Sequence, residues 1–93
     1  MAEQTVPLLN PTGLHARPAE RFAREAGRFG ADITVGRRGG NGAVDAKSVL
    51  SILTLDCRRG DEIVIRAEGD DAAEAVEHLS RLVVDGLGED VTG

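Results

Sequence analysis

Ile63-Val64-Ile65-Arg66-Ala67 gives way to Gly69-Asp70-Asp71-Ala72 and then to Val76, Leu79 and Val83 at helical spacing. The first block is the most convincing strand in the chain, rich in β-branched residues that suit a pleated, half-buried surface. The second is a helix starting at Asp70 or Asp71. Asp71 and Glu74 have capping-box spacing, and Ala72, Val76, Leu79 and Val83 form an inner stripe that ends near Gly86 and Gly88. A strand running into an amphipathic helix makes this end of the chain α+β.

Working outward, Arg58-Arg59-Gly60-Asp61 is a turn, and Lys47 to about Thr54 reads as a short helix. Ala43-Val44-Asp45 is a short strand returning from the loop Arg37-Arg38-Gly39-Gly40-Asn41-Gly42, in which Asn41-Gly42 is the hairpin signal. Ile33 and Val35 alternate with polar residues on the partner strand. Ala19, Phe22, Ala23, Ala26 and Phe29 recur at three- and four-residue steps, predicting a helix from Ala16 to about Gly27. Pro18 suits its first turn. Thr5-Val6-Pro7-Leu8-Leu9 is a first strand, confined to a sheet edge because Pro7 cannot donate to a ladder. The order β-α-β-β-α-β-α predicts an open-faced β-sandwich: a four-stranded antiparallel sheet with three helices on one face.

The chain has 93 residues, 41% hydrophobic and 29% charged, which fits one folded domain rather than a disordered segment. No apolar run approaches the ~20 residues of a membrane span, and no signal peptide is evident, so a cytoplasmic monomer with no membrane insertion is expected. A net charge of −5, no Trp or Tyr, and only Phe22 and Phe29 as aromatics disfavour nucleic-acid binding. The single cysteine, Cys57, excludes a disulfide framework. Its neighbours Arg58 and Arg59 would tend to lower its pKa, although a small packing role is the commoner use of such a residue. His78 is expected on the outer, solvated face of the last helix. No metal site or cofactor is predicted. Asn41 to Ser48 lacks both glycines that a P-loop requires, and no nucleophile–base–oxyanion constellation supports a hydrolase. The tail from Gly88 to Gly93 is expected to be frayed.

Gly13-Leu14-His15-Ala16-Arg17-Pro18 has the most chemical content. It puts an imidazole and a guanidinium at a helix N-terminus, where unpaired amides and the dipole favour anions. The same field favours a neutral, nucleophilic ring at His15, and the Arg17 fork suits phosphoryl oxygens. Arg17, Arg21, Arg24 and Arg28 step by four, three and four residues, falling within about 60° of arc at ~100° per residue. They form a basic ridge suited to acidic partners, with a Glu20–Arg24 pair on the same face. On the second helix, Ile52 and Leu55 are the expected core residues, leaving Val49, Leu50 and Leu53 as an apolar docking patch.

Gly13 to Ala19 resembles the active-site segment of HPr, the histidine-containing phosphocarrier of the phosphoenolpyruvate-dependent sugar phosphotransferase system. Ala46-Lys47-Ser48-Val49-Leu50-Ser51-Ile52-Leu53 resembles the regulatory-serine helix of that family. The resemblance extends over residues 3 to 88 and implies a single phosphocarrier domain, residues 1–93, that is an intermediate substrate rather than an enzyme. It implies that His15 takes phosphate on Nδ1 from enzyme I and delivers it to IIA domains of sugar permeases, with Arg17 assisting. Ser48 falls where some relatives are phosphorylated by a dedicated HPr kinase/phosphorylase. A nitrogen-branch carrier and a regulatory binding module controlled by Ser48 are the alternatives. Two departures stand out: the loop from Arg37 to Gly42 is about two residues longer than is common, and Asp56 occupies a position where many relatives have glycine.

Overall fold

A computed structural model describes residues 1–40 and 42–88. Asn41 of the expected hairpin turn and Glu89 to Gly93 of the expected frayed tail lie outside the described residues. The elements follow the expected order: β1 (Ala2–Pro7), α1 (Ala16–Ala26), β2 (Asp32–Arg37), β3 (Ala43–Asp45), α2 (Val49–Leu53), β4 (Glu62–Glu68) and α3 (Ala72–Val84).

The strands form one antiparallel sheet in the order β1-β4-β2-β3. The stretch richest in Ile and Val, β4, is therefore an inner strand, with Ile63 opposite Val6 of β1 and Ile65 opposite Val35 of β2. Ile63, Ile65 and Ala67 are buried, whereas Glu62, Arg66 and Glu68 face outward. This period-2 alternation leaves one sheet face for the helices. β1 starts at Ala2 and ends at Pro7, earlier than the Thr5–Leu9 strand expected. It pairs only with β4, at the edge position that proline permits. Beyond it the chain stays attached: the Leu8 amide donates to the Asp61 carbonyl at 2.8 Å, and the Gly60 amide donates to the Leu8 carbonyl at 2.8 Å.

The helices bury their predicted stripes against this face. Phe22, Leu79, Val83 and Ile52 are fully buried, together with Leu8, Leu14, Val35, Ile63 and Ile65. Each such side chain contributes about 1.5–3 kcal/mol relative to leaving it in water. Phe29 is only half-buried and lies beyond the end of α1.

Two helix starts differ from the sequence reading. α2 begins at Val49 rather than Lys47, because side chains capture the preceding backbone: the Lys47 amide donates to Asp45 Oδ1 at 3.0 Å, and the Ser51 amide donates to Ser48 Oγ at 3.3 Å. Ser48 is therefore the N-cap, not a residue of the first turn. At α3, Asp71 is the N-cap but makes no capping bond, so the capping box with Glu74 does not form. Its carboxylate instead accepts from the amides of Gly30 at 2.9 Å and Ala31 at 2.8 Å. Two amides presented together by the α1–β2 turn outcompete a single local one, and the charge strengthens both bonds. Gly69 is part of the same junction. Its φ is +138°, and a Cβ there would lie 3.0 Å from Ala31 Cα, so only glycine fits without displacement.

Candidate phosphoryl-acceptor site

Asn10 is fully buried and fixes the loop before α1: its Nδ2 donates to the Gly13 carbonyl at 2.8 Å, and the Gly13 amide donates to the Asn10 carbonyl at 3.2 Å. Gly13 has φ +63°, and a Cβ there would fall 2.5 Å from the Cys57 carbonyl oxygen and 2.6 Å from Arg58 Cα. The Leu14 amide then donates to that same Cys57 carbonyl at 3.0 Å. Backbone 13–14 is thus strapped to backbone 57–58, and Leu14 is sealed in the core.

The strap delivers His15, fully outside the core, to the N-cap of α1 with extended backbone, φ −83° and ψ −175°. Its ring makes no capping bond. The amides of Ala16 and Arg17 have no intrahelical acceptor, and Pro18 has no amide to offer. Two donors are therefore left at the positive end of an 11-residue helix whose first turn contains no acid. Arg17 is exposed there and forms no ion pair among the described residues.

His15 lines a depression of about 480 Å³. Pro11 and Thr12 border it as well, Leu53 of α2 contributes an apolar wall, and Asp56, Arg58 and Arg59 complete the lining. The two arginines are functional candidates that the sequence reading noted only as neighbours of Cys57. The available signal was the paired cation in a turn, but nothing local connects that turn to His15. Cys57 itself is buried, and its thiol is pushed up to about 11 by burial, with Asp61 and Asp56 adding and Arg37 opposing. The expected lowering is reversed because Arg58 and Arg59 turn outward while the thiol turns in. Asp56 adopts φ +51°, the left-handed backbone that glycine would adopt freely.

The basic ridge is less uniform than its spacing suggests. Arg17 and Arg24 are exposed, but Arg21 is half-buried with its Nε out of contact with water and a guanidinium nitrogen near Gly88. Arg28 lies beyond the helix and pairs with Glu25 at 3.2 Å. No Glu20–Arg24 ion pair forms among the described residues. His78 is exposed on the outer face of α3, as expected, but it has partners. Its Nε2 lies 2.7 Å from Glu25 Oε1, and its ring packs at a tilt on Phe29, with centroids 5.5 Å apart. The bond from His78 holds the Glu25 carboxyl below its ordinary value, burial opposes this, and Arg28 adds to the lowering.

Of the expected docking patch, Leu50 is 78% exposed, while Val49 and Leu53 are half-buried against the core. Ile52 is fully buried, and Leu55 is half-buried. No group of three or more His, Cys, Asp and Glu side chains among the described residues is arranged to hold a metal. No helix among them is long and apolar enough to cross a membrane.

Residues 2–85 match the family model described as the PTS HPr component phosphorylation site. The phosphocarrier protein HPr of Vibrio cholerae is 45% identical over 83 residues, covering 89% of this chain and 95% of that protein. The Streptomyces coelicolor phosphocarrier protein HPr is 40% identical, covering 96% and 95%. The crystal structure of HPr from Thermoanaerobacter tengcongensis superposes with a TM-score of 0.90 at 40% identity, covering 97% of this chain and 99% of that one.

Proposed function

The chain belongs to the HPr family of phosphotransferase-system phosphocarriers, and from that premise we propose that His15 is the residue on which it carries phosphate. A member of this family is a carrier, not a catalyst in its own right. The observation that supports His15 is its position as the exposed N-cap of α1, its ring free of any capping bond, beside an Arg17 with no ion pair among the described residues.

In this reading the chain acts as a single carrier domain that takes its phosphoryl group from phospho-enzyme I. The Nδ1 lone pair attacks phosphorus, the bond from phosphorus to the donor breaks, and the ring proton on Nε2 passes to water. The new phosphoryl oxygens face the free amides of Ala16 and Arg17 and the Arg17 guanidinium, so the developing charge meets donors that are already oriented. Transfer to a IIA domain of a sugar permease reverses these bonds onto the acceptor. Arg17 and Arg24 attract acidic partner surfaces, and Leu50 gives the docked complex apolar contact. Arg21, Arg28, Val49 and Leu53 border that surface.

Ser48 is the proposed regulatory residue, acted on by an HPr kinase/phosphorylase. A phosphate at the N-cap of α2 is electrostatically compatible with the helix, yet it sets about −1.5 to −2 charges beside Leu50, where an acidic partner would repel it.

The decisive experiment is labelling from radioactive phosphoenolpyruvate through purified enzyme I. The expected product is acid-labile and stable to mild base, as a phosphoramidate is, and it is absent in His15→Ala. Full labelling of that variant would refute the assignment.

A further inference from the structure

The geometry points to Arg58 and Arg59 as a second set of cations, besides Arg17, that holds the phosphoryl group on His15. This rests on His15 being the acceptor. Both arginines border the depression at which His15 stands. They are brought there by the strap, in which the Cys57 carbonyl takes the Leu14 amide at 3.0 Å and Arg58 Cα lies directly under Gly13.

The turn that carries them is itself fixed, because the Arg58 amide donates to Asp61 Oδ2 at 2.9 Å and the Asp61 amide donates to the Arg58 carbonyl at 2.9 Å. A rigid backbone thus bears two long side chains that remain available. Arg59 is exposed and has no ion pair among the described residues. Among the described residues the Arg58 guanidinium pairs with Asp56, at 3.5 Å, with both side chains more than three-quarters exposed, so that contact is easily exchanged for a stronger one. A dianionic phosphoryl group on His15 is the stronger competitor, since guanidinium–phosphate bonds are charge-assisted and can be bidentate. Asp56 is the one anion among the described residues that border the depression, and its charge opposes the phosphate unless Arg58 remains nearby.

The consequence is a longer-lived phosphohistidine. In spontaneous hydrolysis, water supplies the oxygen to phosphorus and a proton to the imidazole nitrogen while the P–N bond breaks. Cations around the dianion stabilise it before the bond breaks and disfavour protonation of the ring, so removing them speeds decay.

The test uses the intact chain, labelled by enzyme I and then freed of it, with loss of label followed at fixed pH. Arg58→Gln/Arg59→Gln should shorten the half-life about three- to fivefold at low salt, with the difference shrinking as salt rises. Arg59→Lys, alone, should retain most of the parental half-life, and Asp56→Asn should lengthen it. A double variant that takes label and decays at the parental rate would overturn the inference while leaving His15 as carrier, and would reassign the two arginines to partner contact. A parent chain that takes no label, or takes it elsewhere than His15, would overturn both.

Discussion

His78 of α3 reaches Glu25 of α1 at 2.7 Å, tying the last helix to the end of the helix whose N-cap is His15. The contact is extended by Arg28, 3.2 Å from the same carboxylate oxygen, and by the Phe29 ring against the imidazole. It accounts for the depressed Glu25 pKa, which makes its stabilisation dependent on pH.

A carboxyl whose folded-state pKa lies below its unfolded value stabilises the fold fully above the unfolded value and loses that contribution as pH falls through the folded one. Glu25→Gln should therefore lower Tm at pH 7 by a few degrees, consistent with roughly 0.2–1 kcal/mol for a surface-proximal pair. The gap between variant and parent should close as pH drops below the ordinary carboxylate range. Melting curves across pH 2–8, taken as about that span of the carboxylate titration, check this; a gap that widens on acidification contradicts it.

Asp56 gives a backbone prediction. With φ at +51°, it sits where a side chain costs roughly 1–2 kcal/mol and glycine costs little. Asp56→Gly should raise stability or leave it unchanged, whereas Asp56→Ala should retain the strain and lose the tolerance that aspartate has for this region. The ion pair to Arg58 is too exposed to reverse that order. Urea titrations of the two variants should place the Gly form above the Ala form.

These two cases mark what the sequence could and could not convey. Ile63, Ile65, Val76 and Leu79 were legible because burial repeats at the period of the local element. His15 and Arg17 were legible because neighbours in the chain remain neighbours at a helix start. The Asp71 carboxylate looked like a local cap, but its partners Gly30 and Ala31 are 41 and 40 residues away. His78 is exposed as its helical position indicates, but its partner is 53 residues distant and no local pattern reveals it. Arg58 and Arg59 enter the His15 depression only through the Leu14–Cys57 strap, which no periodicity encodes. The arginine ridge was over-read: the 3.6-residue repeat gives a direction for each side chain, not whether an acid such as Glu25 neutralises it.

That distinction separates two arginines expected to be equivalent. Arg24 is exposed with no ion pair among the described residues, whereas Arg28 is already paired with Glu25. Arg24→Glu should slow phosphorylation by enzyme I severalfold at low ionic strength, with the deficit fading once the Debye length falls below about 8 Å. Arg28→Glu should show a smaller kinetic effect and a measurable loss of Tm, because it places a second carboxylate beside Glu25. Equal salt-dependent deficits in the two variants would restore the uniform ridge.

On α2, the two faces of a five-residue helix separate docking from folding. Leu50 is 78% exposed and Ile52 is fully buried. Truncating Ile52 to Ala removes core contacts and leaves a cavity, a change that costs about 2–5 kcal/mol in well-packed interiors. Truncating Leu50 to Ala removes little that is buried in the free protein, so its stability should change by no more than about 0.5 kcal/mol. The functional effects should run the other way. Leu50→Ala should weaken the complex with enzyme I chiefly by faster dissociation and with little dependence on salt, since it deletes apolar contact rather than charge. Ile52→Val, which keeps most of the volume, should leave transfer near the parental rate while still lowering Tm. Binding kinetics at two salt concentrations, set beside thermal melts, separate these outcomes. A Leu50→Ala chain that docks and transfers like the parent would mean that the exposed leucine is not part of the partner surface.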